Sequence, residues 1–247
     1  MTIRAVIFDL GHTLWDITPQ PDALRTAYEE ARALICSRLG RDDLPAASAL
    51  QDAVRDALRA AAETYFMGAA RLDQPPTSTW VRQACAALGL ELDRALIDEL
   101  TPPLFATEID GLVCADGTVE AVAALADAGY ALGCVTNTLA DGRAIRAMLR
   151  RYGFEELMCS VVVSSEEGWR KPHPSLFEKA LRDVGAAASE AVFVGDSPLH
   201  DIGGAKAVGM RAVLTTQYVE RPPVAGVPAP DARITHLREL RDLVAVW

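Results

Sequence analysis

Val6-Ile7-Phe8-Asp9-Leu10-Gly11-His12-Thr13-Leu14 is the stretch from which the rest of the 247-residue chain is read. Residues 3–8 are an apolar run that predicts a buried parallel strand, and the break in polarity at Asp9 sets a carboxylate at its C-terminal end. Ligands of open α/β sheets bind at that end. An Asp that opens a loop has turn chemistry of its own, so the weight of Asp9 comes from three later stretches. These are Val135-Thr136-Asn137, Arg170-Lys171-Pro172 and Gly195-Asp196-Ser197-Pro198-Leu199-His200-Asp201, all of which would arrive at one sheet edge.

Working outward, Thr18-Pro19-Gln20-Pro21 is a turn-rich joint, and beyond it the composition changes. Residues 22–100 are rich in Ala, Leu, Arg, Asp and Glu, and the spacing predicts helices over 22–39, 46–70, 77–88 and 92–100. Thr101-Pro102-Pro103 reads as the second joint. From about residue 117 helix and strand alternate: helices over 117–128, 141–151, 174–184 and 200–208, strands over 130–136, 160–163, 191–195 and 210–214. A last weak strand over 231–235 and a closing helix over 236–246 follow the Pro-rich loop 221–230. This repetition predicts an α/β fold, a Rossmann-like parallel sheet core with helices on both faces. The core comprises 1–17 and 108–247, and 18–107 is an inserted all-helical cap domain.

Half the residues are hydrophobic and the formal net charge is −10, which removes the phosphate-neutralising surplus that a nucleic-acid partner needs. The five cysteines (Cys36, Cys85, Cys114, Cys134, Cys159) form no C-x-x-C pair and are read as buried free thiols of a reducing compartment. No leader-like start and no apolar run near about 18 residues is present. The expectation is a cytoplasmic protein without a membrane partner, whose oligomeric state the sequence leaves open.

Taken singly, each polar residue has an ordinary reading. Asp196 suits a turn, Asp201 a helix start, and Thr138 or Asp141 can cap the 141–151 helix. Lys171 is a loop lysine stiffened by Pro172 and Pro174, and His173 and His200 read as loop and helix-start residues. Together they say more. Carboxylates crowded at one edge repel unless a cation binds them, and a hard cation held by one or two carboxylates beside a phosphate describes Mg²⁺.

The four stretches resemble the haloacid dehalogenase-like hydrolase superfamily. Its motifs appear in order as Asp9/Thr13, Thr136, Lys171 and Asp196/Asp201, and the position of the insertion resembles the subgroup with a helical cap between the first two motifs. The resemblance implies that Asp9 attacks phosphorus to form an aspartyl-phosphate. It implies Mg²⁺ held by Asp9, Asp196 and the carbonyl of Gly11, with Asp201 in the same acidic set and fixing Lys171. Thr136, Asn137, Lys171 and His12 are then the substrate-binding candidates, Asp9, Thr136 and Lys171 the catalytic ones, and the substrate a small phosphorylated metabolite. A cap of this kind closes over the site and reads the leaving group, with Trp15, Tyr65, Phe66, Met67 and Trp80 as candidate pocket residues.

One position departs from the pattern. The second Asp of the first motif, the family's general acid, is Gly11 here. Its loss should cost about 10²–10⁴ in rate if nothing substitutes. Three explanations stand: a leaving group that needs no protonation, another acid with His12 nearest, or a protein that is no longer a phosphatase. In an extended segment successive side chains face opposite sides, which would turn His12 away from the phosphate. A 2-haloacid dehalogenase would make Gly11 harmless but leave Asp196 unexplained, and a retired phosphate-binding protein would leave Asp9 as a bare ligand.

Overall fold

The computed structural model describes residues 2–67, 71–106 and 109–247, with the side chains of 66 and 67 not described. At its centre lies β1 (Ala5–Phe8), whose four residues are all buried, as a strand covered on both faces requires. Next come β2 (Asp16–Ile17), α1 (Pro21–Leu39), α2 (Ala47–Ala62), α3 (Thr77–Ala87) and α4 (Arg94–Ala106), then β3 (Leu112–Val113), which pairs antiparallel with β2. The alternating part follows as α5 (Thr118–Asp127), β4 (Ala131–Thr136), α6 (Gly142–Arg151), β5 (Met158–Val163), α7 (Ser164–Glu167) and α8 (Pro174–Val184). It ends with β6 (Ala191–Gly195), α9 (Gly204–Ala207), β7 (Arg211–Thr215), β8 (Ala232–Ile234) and α10 (Leu240–Ala245).

Six strands form one parallel sheet in the order β5-β4-β1-β6-β7-β8. The chain runs outward from β1 through β4 to β5, returns to the other side of β1 at β6, and runs outward again to β8. The connections after β1 and β6 therefore leave in opposite directions, which opens a crevice between the carboxyl ends of these two neighbours. Asp9 and Asp196 are the residues that follow them.

Alternation along β1 feeds two cores. Val6 and Phe8 pack with Val122 and Leu125 of α5 and with Ile145, Met148 and Leu149 of α6. Ala5 and Ile7 pack with Leu176 and Phe177 of α8 and with Ile202 and Ala205. The first core runs on into the helical insertion, through Tyr28 and Ile35 of α1, Val54 of α2, Val81 of α3 and Ile97 and Leu104 of α4.

The expected joint at Thr101-Pro102-Pro103 is not a joint: both prolines lie inside α4. A proline has no N–H for the carbonyl four residues back. Asp98 O, which Pro102 leaves without its helical donor, instead accepts from Arg143 Nη2 of α6 at 2.9 Å. The second helix stops at Ala62 and gives way to a wider π turn, Glu63–Met67, while the expected end at residue 70 lies outside the described residues. A similar π turn, Pro198–Gly203, opens the predicted helix over 200–208. The 107/108 boundary of the insertion lies outside the described residues. Of the thiols, only Cys85 and Cys134 are buried; Cys36 and Cys114 are half-buried and Cys159 is exposed. Among the described residues no helix is long and apolar enough to cross a membrane.

Candidate active site

Asp9 is set by the strand it ends. Its N–H donates to Val194 O at 2.8 Å, prolonging the ladder with β6 by one residue before the chain turns away. The next residues wind back on themselves: Leu14 N donates to Leu10 O (2.8 Å) and His12 N to Trp15 O (2.7 Å). Thr13 Oγ1, on that turn, lies 3.4 Å from Asp9 Oδ2. Lys171 arrives from the loop after α7 and is almost fully buried. Its Nζ donates to Asp9 Oδ1 (2.6 Å) and Val135 O (2.8 Å) and is ion-paired with Asp201 Oδ1 at 2.7 Å. Asn137 fixes the lysine's main chain, accepting from Lys171 N on Oδ1 (2.7 Å) and donating from Nδ2 to Lys171 O (3.0 Å). Both ends of the Asn137 amide are thus committed to Lys171.

On the β6 side, Asp201 Oδ2 accepts from Ser197 N at 2.8 Å. The Asp201 carboxylate lies over Gly195, where a Cβ would come within 2.4 Å of Oδ2, so only glycine admits this approach. Asp9, Asp196 and Asp201 bring one carboxylate oxygen each to within 4.8 Å of one another, and all three are buried.

Helix capping, the ordinary role expected of Thr138 or Asp141, is borne out at Asp141, the N-cap of α6. Asp141 accepts from Arg143 N (2.9 Å) and Thr138 Oγ1 from Ala140 N (2.9 Å), so Thr136 is not needed for it. The insertion reaches this loop as well: Gln74 Nε2 donates to Thr138 O (2.6 Å) and Thr77 Oγ1 to Leu139 O (2.9 Å).

The charges are strained as they stand. Burial, with Asp201 and Asp196 adding repulsion, outweighs Lys171 and raises the Asp9 pKa to about 7. Asp196 is pushed up by burial and by Asp201, against the pull of Arg221. Burial works against the Lys171 ammonium, yet Asp201 and Asp9 together outweigh it and raise its pKa. Three buried carboxylates facing two cationic side chains leave an excess of negative charge that a divalent cation would remove. The donors are all hard oxygens, and the set therefore fits Mg²⁺.

A cavity of about 430 Å³ opens over this group, lined among others by Asp9, Gly11, His12, Thr136, Lys171, Asp196 and Asp201. Every sequence-predicted site residue is brought to it. His12 corrects the expectation drawn from an extended segment. It sits in the left-handed region at φ 56°, in a turn, where side chains do not alternate, and so lines the cavity with Nδ1 3.4 Å from Asp16 Oδ1. His200 also lines it, while His173 caps α8 by accepting from Ser175 N. Of the aromatic candidates, Trp15 lines the cavity. Trp80 and Tyr65 pack on each other, ring centroids 5.5 Å apart, in a separate small core; the side chains of Phe66 and Met67 lie outside the described residues. Arg221 escaped the sequence reading. It comes from the loop after β7 and its Nε donates to Asp196 Oδ2 at 2.5 Å. Its one sequence signal is position: loops that follow strands of a parallel sheet share one rim, and an Arg there is a candidate by placement.

A family model described as haloacid dehalogenase-like hydrolase matches residues 3–209. A glyceraldehyde 3-phosphate phosphatase of Pyrococcus abyssi is 30% identical over 214 residues, 85% of this chain and 80% of that protein. A phosphoserine phosphatase of Thermus thermophilus is 39% identical over 124 residues, about half of each chain (49% and 48%). Among solved structures, a 2-haloacid dehalogenase from Pseudomonas syringae pv. Tomato is 26% identical with a TM-score of 0.65 over 100% of both chains.

Proposed function

On the premise that this chain belongs to the haloacid dehalogenase-like hydrolases as an enzyme of the phosphatase type, we propose Mg²⁺-dependent hydrolysis of a small phosphorylated metabolite in the cytoplasm. The observation that carries this reading is the meeting of Asp9, Asp196 and Asp201 within 4.8 Å at the switch-point crevice, with Lys171 bonded to the first and paired with the third. A nucleophile alone would need no such company.

Asp9 Oδ attacks the phosphorus in line. The P–O bond to the leaving oxygen breaks with its electron pair, and the aspartyl-phosphate that forms is then opened by water, which leaves phosphate and the free carboxylate. Asp9, Asp196 and the Gly11 carbonyl would hold Mg²⁺, with Asp201 in the same acidic group; when bound, the ion neutralises charge on the transferring phosphoryl oxygens. Lys171 supplies fixed positive charge beside the nucleophile, and Asp201 and Asn137 hold it there. Thr136 Oγ1 and the Asn137 main-chain N–H bind phosphoryl oxygens, with His12 also lining the cavity. The insertion 18–107 serves as the cap that excludes water.

No carboxylic acid stands at position 11 to protonate the leaving oxygen. The favoured substrates are therefore those with stable leaving groups, acyl or aryl phosphates. The test is release of nitrophenol from p-nitrophenyl phosphate with Mg²⁺ and with a chelator. Turnover that stops with chelator supports the reading; turnover indifferent to chelator, or none at all, removes it.

A second reading has one observation in its favour, the full-length likeness to the Pseudomonas 2-haloacid dehalogenase. In it Asp9 attacks carbon and displaces halide. The buried Asp196 beside Asp9 has no task in that chemistry, and chelator-insensitive halide release from chloroacetate would favour it over the phosphatase.

A further inference from the structure

Arg221 reaches the cavity from a loop stiffened by Pro222 and Pro223. Only its Nε–H is given to Asp196, and 41% of the side chain remains exposed, against 6% for that carboxylate. A guanidinium has five N–H donors, so most of its binding capacity is left over after this one hydrogen bond. Resting on the metal reading above, we propose that Arg221 is the receptor for a second acidic group on the substrate, and that a divalent cation frees it for this task by taking Asp196 from it.

The exchange follows from charge and position. Asp196 is buried and its Oδ2 is held by the guanidinium, so a cation brought to this carboxylate faces a second positive charge, and the two repel each other. Lys171, the other strong cation lining the cavity, cannot respond in the same way, because it is buried and fixed between Asp9 and Asp201. Arg221 can, being half-exposed and on a surface loop. Once released it stays at the cavity wall, and its planar fork suits a carboxylate or a second phosphate held through two parallel bonds. The same event turns an anion-excess cavity into a cation-excess one, so metal binding and anionic substrate binding reinforce each other.

Two measurements test this on the full chain stripped of metal. In the first, Mg²⁺ is titrated calorimetrically into the wild type, Arg221→Gln and Arg221→Lys. The expected result is Mg²⁺ bound about tenfold more tightly by Arg221→Gln, the scale of a single hydrogen bond between charged groups that the ion no longer has to break, with Arg221→Lys between the two. Unchanged or weaker binding by Arg221→Gln overturns the exchange. A wild type that binds no Mg²⁺ overturns both the exchange and the metal reading beneath it.

The second compares 4-carboxyphenyl phosphate with phenyl phosphate as competitive inhibitors of p-nitrophenyl phosphate turnover at saturating Mg²⁺. The wild type should prefer the carboxylate by about tenfold or more, the worth of a charge-assisted pair. Arg221→Gln should lose that preference and Arg221→Lys retain part of it. Equal preference in wild type and Arg221→Gln overturns the receptor role even where Mg²⁺ binding tightens.

Discussion

At the rim of the sheet, Lys171 is buried between Asp9 and Asp201 and bonded to Val135 O, with its own main chain clasped by Asn137. In the helical insertion, Val54, Val81 and Ile97 are equally buried, within a cluster of apolar side chains. At the rim each side chain is held by specific hydrogen-bond and ion-pair partners, and few other residue types could take its place. In the insertion volume and patterning decide, and many side chains meet the requirement. Substitutions should therefore divide, with rim changes read in rate and insertion changes read in stability.

Asp9→Asn should show the largest effect. It removes the proposed nucleophile, and turnover of p-nitrophenyl phosphate should fall by about 10⁵-fold or more while the fold persists. Residual activity within a factor of about ten of wild type would mean that the rim does not do the chemistry. Gly11→Asp comes next and has the opposite sign. The Cβ position is open, with nothing within 4 Å. The variant should fold as the wild type does and gain about 10²–10⁴ in kcat on alkyl phosphates, whose leaving groups need a proton, and less on the aryl ester. A gain confined to the aryl ester would break the leaving-group explanation.

Ile97→Ala probes the other region. Loss of a fully buried side chain in α4 should cost about 2–4 kcal/mol in denaturant unfolding. The kcat should stay within about twofold, because the site residues share no hydrogen bond with it. A comparable collapse of kcat would show that the two regions are coupled, through the Gln74 and Thr77 hydrogen bonds to the loop after β4.

The smallest effect concerns a carboxylate outside both regions. Partial burial works against Asp231, but Lys206 Nζ and Ala212 N, each at 2.7 Å, outweigh it and hold its pKa below the usual carboxylate range. A depressed folded pKa contributes stability above the unfolded value that is lost as pH falls through the folded one. Asp231→Asn should therefore be less stable than wild type near neutrality, by less than about 1 kcal/mol for so exposed a pair. The difference should close below about pH 4.

The same division governs what could be read from the sequence. β1, β4 and β6 are continuous apolar runs that end at Asp9, Thr136 and Gly195-Asp196, so their polarity breaks mark both strand ends and site residues. Asp201 and Lys171 were legible through spacing to those ends. The two-residue strands β2 and β3 were not, since a pair that short leaves no periodicity. Nor was α7, a single turn. Pro102 and Pro103 misled, because the partner that rescues Asp98 O is an Arg 45 residues further on, which no local window contains. Arg221 belongs to an irregular Pro-rich loop, and its approach to Asp196 is purely tertiary.

Gly11 carries a consequence beyond kinetics. A Cβ there would meet nothing within 4 Å and the backbone is not left-handed, so the position is open to a side chain. Glycine and aspartate codons can differ by one base. This scaffold can thus exchange glycine for a carboxylic acid at 11 in one mutational step.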